Sequence, residues 1–141
     1  MKRKPYWLIL ALSTVCVASS GNAATSVTIL ADELQPQIAF AVQELQSALS
    51  ARGYTVNHGS VSEVTTAGAG PRIVLGTSQD KVMSDALRGQ NVTPSRSLKP
   101  EGFSLRQGSG ARKETYWVVG ADAAGAMYGG LELAEVIRCS G

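Results

Sequence analysis

The sequence predicts an α+β domain, an α/β two-layer sandwich in which helices pack on a small mixed sheet. Three observations carry this. "RIVLGTS", Arg72 to Ser78, is a continuous apolar run bounded by proline and glycine, the pattern of a buried strand. Ile38, Ala41, Val42, Leu45, Ala48 and Leu49 recur at helical spacing behind an equally apolar "SVTILAD". "EGFSLRQGSG" and "KETYWVVGAD" are extended runs joined by a glycine-containing turn, so they predict an antiparallel hairpin. A hairpin inside a strand–helix series makes the sheet mixed rather than wholly parallel.

Taken in order, Ser26 to Asp32 is β-branched and apolar and reads as the first strand. A helix follows from about Gln35 to Arg52, with Pro36 in its first turn, where the missing N–H costs nothing. Gln43, Glu44 and Ser47 face away from its stripe, and so does Phe40, for which the pattern offers no reason. Gly53 stands where the helix should stop, and "YTVNHG" resumes an extended pattern. Ser60 to Pro71 is polar and glycine-rich and reads as a loop. Lys81 to Arg88 forms a short helix with Val82, Met83 and Leu87 inward, and Gln90 to Pro100 is a second loop. In the hairpin, Phe103 and Leu105 alternate with Ser104 and Arg106 around a turn near Gly108 to Lys113. The last helix runs from about Ala123 to Ile137, its buried stripe marked by Ala123, Met127, Gly130, Ala134 and Ile137, with Leu131 and Leu133 at the borders.

The N-terminus has the layout of an export signal. Lys2, Arg3 and Lys4 precede an apolar core from Trp7 to Val17, and "SGNAA" supplies small residues for scission between Ala23 and Ala24. That core is too short to span a bilayer. Ser13, Thr14 and Val15 fit a lipid-attachment signal at Cys16 poorly, so no stable membrane anchor is expected after cleavage. Residues 1–23 are therefore read as a signal peptide and residues 24–141 as one domain, periplasmic or extracellular. The chain has 13 basic and 11 acidic side chains; without the three signal cations the mature part holds ten against eleven, near −1. No basic cluster is left to bind nucleic acid. Cys139 stands alone once Cys16 is removed, so no internal disulfide can form. The sequon at Asn91 is discounted because Pro94 follows it.

"YWVVGADAAGAMYGG", Tyr116 to Gly130, poses the main functional question, because a strand, a glycine and a helix also begin a nucleotide-binding loop. The spacing Gly120, Gly125, Gly129, Gly130 lacks the G-x-G element that brings backbone N–H groups onto a pyrophosphate. No lysine follows Lys113, so a P-loop is excluded. Glycines inside a helix cost roughly 1 kcal/mol each against alanine. Close approach of the helix to the sheet is the simplest compensation, and Asp122 is expected to cap the helix itself.

No catalytic, metal or cofactor residue is assigned. Paired carboxylates for sugar hydrolysis must lie across a substrate, and Asp32–Glu33, Asp80–Asp85 and Glu132–Glu135 all read as turn, cap or solvated positions. His58 is the single histidine, in a loop edge with Ser60 two residues on. Metal sites need several convergent ligands, which the pattern does not offer. Trp117, Tyr128, Gly129 and Gly130 are the candidate packing or interface positions, and Tyr54 and Tyr116 are further aromatics able to meet a sugar ring.

These residues resemble a known family. "RIVLGTS", "EGFSLR" and "YWVVGADAAGAMYGGLELAEVIR" are similar to the small N-terminal α/β domain of secreted glycoside hydrolases, which precedes the catalytic barrel in beta-N-acetylhexosaminidases and alpha-glucuronidases. Glu101, Gly102, Phe103 and Leu105 match its "E-G/A-Y/F-x-L" strand, Tyr116 to Asp122 its "I-x-I-x-G/A-x-D" strand, and Gly125, Tyr128, Gly129 and Leu133 its "G-x-x-Y-G-L-x-x-L" helix, with Gly130 where leucine is frequent. The resemblance implies a beta-hexosaminidase N-terminal-domain-like fold, no cofactor, and an accessory role beside a barrel that this sequence does not contain, as in a truncated form. The alternative is a stand-alone periplasmic module that binds carbohydrate or protein. The first predicts an exposed apolar patch near Cys139 and the last helix; the second predicts a concave site with a presented aromatic.

Overall fold

The computed structural model describes residues 25–93 and 97–140. The signal segment, Cys16, the Ala23–Ala24 scission point and Pro94 lie outside the described residues. Five strands, β1 (Ser26–Ala31), β2 (Thr55–Gly59), β3 (Arg72–Thr77), β4 (Phe103–Gln107) and β5 (Thr115–Gly120), form one sheet in the order β2-β1-β3-β5-β4. Neighbours are parallel except β4, which pairs antiparallel with β5, Phe103 opposite Gly120 and Gln107 opposite Tyr116. The sheet is mixed, as the hairpin predicts.

Two long helices, α1 (Pro36–Ala51) and α3 (Ala123–Cys139), pack on each other and on one face of the sheet. Val27 and Ile29 of β1, Ile73 and Leu75 of β3, and Val118 of β5 point into that face, against Ile38, Ala41, Val42, Leu45, Ala48 and Leu49. These six are the α1 stripe read from the sequence, and Phe40 stands outside it, half exposed. Gly53 ends α1 with φ +82°, a conformation in which glycine lacks the steric penalty of other residues. Arg138 of α3 ties the helix ends together, bonding the Glu44 carboxylate at 2.7 Å.

The other face is covered too, by a thinner layer made of α2 (Lys81–Gly89) and a short 3-10 turn (Val61–Thr65). Leu30, Val74, Trp117 and Val119 meet Val61, Val64, Met83 and Leu87 there. The turn lies within the stretch expected to be plain loop. Its two valines are three residues apart, one 3-10 repeat, so both reach the core. Arg72 holds it down, donating to the carbonyls of Val64 at 2.8 Å and Gly68 at 2.7 Å. Val82 corrects a second expectation: Met83 and Leu87 are buried, but Val82 is turned to solvent. Leu105 shares the face of Phe103 yet is 39% exposed, because β4 is an edge strand beyond the full cover of α3.

Candidate functional site

Three separated stretches meet at one corner, and they are the stretches that carry the family-like motifs. Glu101 and Gly102 lead into β4, Gly120 to Asp122 leave β5, and Gly125 opens the first turn of α3. Asp122 caps α3: one carboxylate oxygen accepts from the Gly125 N–H at 2.8 Å and the other from the Glu101 N–H at 3.0 Å. The Ala121 N–H donates to the Gly102 carbonyl at 2.8 Å. Glu101 adopts φ +61°, a left-handed conformation rare for non-glycine residues, and the Asp122 bond to its N–H holds it there.

The glycines answer to contact. A Cβ on Gly125 would stand 2.3 Å from the Gly102 carbonyl oxygen, and one on Gly120 would stand 2.0 Å from the Ala126 nitrogen. On Gly129 it would meet Val118 at 2.7 Å and the Phe103 ring at 3.1 Å, and on Gly130 the Ala41 methyl at 2.8 Å. Gly129 and Gly130 therefore face the sheet and α1, while the neighbouring Tyr128 is half exposed. The fully buried positions of α3 are Gly125, Ala126, Gly129, Gly130 and Ala134. The expected stripe is thereby corrected: Ala123, Met127 and Ile137 are only partly buried, because contact is closest along the small residues. No phosphate is accommodated where Asp122 already supplies the negative charge to the N–H groups of α3.

The Asp122 carboxyl is held below the ordinary carboxylate range, first by the Gly125 N–H and then by that of Glu101. A carboxyl lowered on folding contributes stability above its unfolded pKa, and this is lost as pH falls through the folded value. Asp122→Ala should therefore lower Tm by several degrees at pH 7, and the gap to the unaltered protein should narrow on acidification below about pH 4. Melting curves across that range decide it; a gap that ignores pH would count against the cap.

Asp32, Glu33, Asp80 and His58 line one open pocket beyond the C-terminal ends of β1 and β2, whereas Asp85, Glu132 and Glu135 lie outside it. Asp32 accepts from Ser60 Oγ at 2.7 Å, and Asp80 from Thr77 Oγ1 at 3.1 Å. Asp85 lies between Lys81 and Arg88, and Lys81 draws its carboxyl below the ordinary range. Glu132 and Glu135 are exposed on α3. His58 Nδ1 is 3.9 Å from Glu33 Oε1, with both side chains largely solvated. Among the described residues no group of three or more His, Cys, Asp or Glu side chains is placed to hold a metal. Trp117 is in the core, 1% exposed, facing α2.

A more apolar surface feature is a groove of about 390 Å³ at the edge of the sheet where α1 and α3 end. Tyr54, Tyr116, Leu133, Val136 and Ile137 line it, with Ser140 at its rim. Tyr54, Tyr116 and Val136 are 38%, 40% and 49% exposed, so apolar surface faces solvent beside the last turn of α3. Sequence reasoning singled out the two tyrosines separately. Only the parallel pairing of β2, β1, β3 and β5 brings them to one edge.

Residues 9–133 match the family described as glycosyl hydrolase family 67 N-terminus. The chain belongs to this family. Its matched span begins inside the stretch read as an export signal and ends within α3. The fold is also that of part of a solved glycoside hydrolase, a GH138 enzyme targeting pectin rhamnogalacturonan II. That likeness has a TM-score of 0.54 and 20% identity over 82% of this chain. The chain spans 14% of the length of that enzyme. No curated protein sequence matches it. Family 67 membership fits the alpha-glucuronidase side of the resemblance, and nothing in the match names a hexosaminidase.

Proposed function

We propose that this chain is a non-catalytic accessory domain of an exported glycoside hydrolase of alpha-glucuronidase type, and that it supports a catalytic barrel rather than cleaving sugar. The observation that carries this reading is the family 67 N-terminus match over residues 9–133. The carboxylates agree with it: Asp32, Asp80 and Asp85 are engaged by Ser60, Thr77 and Lys81, and Glu132 and Glu135 are solvated. Two carboxyl groups facing one another across a sugar, about 5–9.5 Å apart, are what hydrolysis by this route requires.

The purified chain should release nothing from aryl glucuronides or aryl N-acetylglucosaminides. Turnover that disappears in one Glu→Gln or Asp→Asn variant would overturn the accessory role. Export is read by N-terminal sequencing of protein from the periplasm, with Ala24 as the expected first residue. Sequencing the DNA beyond codon 141 tests whether a barrel follows in this gene or has been lost.

A binding-module function draws on one observation, the presence of Tyr54 and Tyr116 in the same groove. Stacking of a sugar on either ring would change tyrosine emission during a saccharide titration. No change is expected if the groove serves a protein.

A further inference from the structure

Resting on the accessory-domain reading, we infer that the groove between the ends of α1 and α3 seats the catalytic part of the enzyme. What fills it is an aliphatic side chain flanked by a carboxylate. The first argument is continuity. α3 ends at Cys139 and Ser140 itself lines the groove, so a chain continued from α3 would set out beside it. A segment delivered there meets the groove at high effective concentration. The second argument is the helix pattern. α3 spends charge on its outward positions, with Glu132, Glu135 and Arg138 exposed, yet Val136 lies among them as a bare apolar side chain. Val136, half exposed, lines the groove.

The third argument is charge. Arg52 lines the groove, and its guanidinium has no carboxylate partner among the described residues. Arg72, the other cation there, is committed to the Val64 and Gly68 carbonyls. Among the described residues no acidic side chain lines the groove. An apolar seat with one uncommitted guanidinium at its edge suits an aliphatic residue beside a carboxylate, since interface centres are apolar and Arg recognises carboxylates at the rim. A sugar would also need polar groups directed inward, and the tyrosine hydroxyl whose contact is resolved, that of Tyr116, lies 3.4 Å from Gln107 Nε2.

The test mixes the purified chain with the catalytic part of a family 67 alpha-glucuronidase expressed without its own N-terminal domain. The affinity is measured by titration for the unaltered chain, Val136→Asp, Arg52→Glu and Val82→Asp. All three positions are exposed, so the variants should fold, and circular dichroism melts check this. Val136→Asp should weaken binding at least about tenfold. Arg52→Glu should weaken it less and should remove most of its salt dependence. Val82→Asp, on the opposite layer, should bind as the unaltered chain does. Equal binding by Val136→Asp would overturn the groove while leaving the accessory role standing. Absence of binding by the unaltered chain would overturn it too, and the hydrolysis assay on separate samples then judges the accessory role. Saccharide binding lost in Tyr116→Ala would replace the protein occupant with a sugar.

Discussion

Gly125→Ala is expected to melt about 10 °C below the unaltered protein, although alanine is the better helix former. Propensity alone favours the substitution by about 1 kcal/mol. Against it stands a Cβ placed 2.3 Å from the Gly102 carbonyl oxygen, a backbone atom held by its bond from the Ala121 N–H. Backbone cannot swing aside as a side chain can. The net loss is about 3 kcal/mol, the upper range for overpacking, and in a domain of this size that corresponds to about 10 °C. Gly130→Ala supplies the contrast on the same helix. There the obstacle is the Ala41 methyl on α1, 2.8 Å away. Combining it with Ala41→Gly should recover most of the loss, giving a coupling energy that differs clearly from zero. No second-site change of that kind exists for Gly125. An unchanged Tm in Gly125→Ala would refute the close-approach account of these glycines.

Trp117→Ala should lose about 3–5 kcal/mol, as large aromatic deletions in cores do. Trp117 is 1% exposed and packs with Val61, Val64, Met83 and Leu87 in the thinner layer. Small domains hold only about 5–15 kcal/mol in total, so much of the variant should be unfolded near 40 °C. Trp117→Phe keeps most of the apolar surface and should cost less than half as much. The sequence has two tryptophans, and the other, Trp7, precedes the expected scission point. In protein processed there, emission thus reports this one site, shifting to the red on unfolding. A mild loss in Trp117→Ala would mean that the second layer contributes little and that α1 and α3 alone stabilise the sheet.

Elements with a strong period were legible in the sequence. The α1 stripe, the β3 run, the hairpin and the Asp122 cap each leave a pattern within one short stretch of the chain. The misplaced features depend on distant contacts. A hydrophobicity pattern follows the large residues Met127 and Ile137, whereas the closest face of α3 is set by Gly125, Gly129 and Gly130, which register weakly on such a pattern. Val61 and Val64 enter the core from a polar stretch because Arg72, on another element, anchors their turn. Val82 and Leu105 obey their local periods yet remain exposed, since no layer reaches over them. The groove was the least legible, being assembled from the ends of α1 and α3 and the lower edges of three strands.

The strand order β2-β1-β3-β5-β4 also fixes when this domain becomes a domain. β4 is synthesised before β5, its only strand neighbour among the described residues, and β3 lacks one of its two neighbours until β5 arrives. α3, which closes the larger core layer against α1, is the last of these elements to leave the ribosome. Most pairings are non-local, so the loop-closure entropy is met before the contacts can repay it. Residues 25–78 alone would leave β3 as an open edge and both sheet faces only partly covered, a species prone to association. The larger core layer therefore closes only once α3 has followed the other described elements.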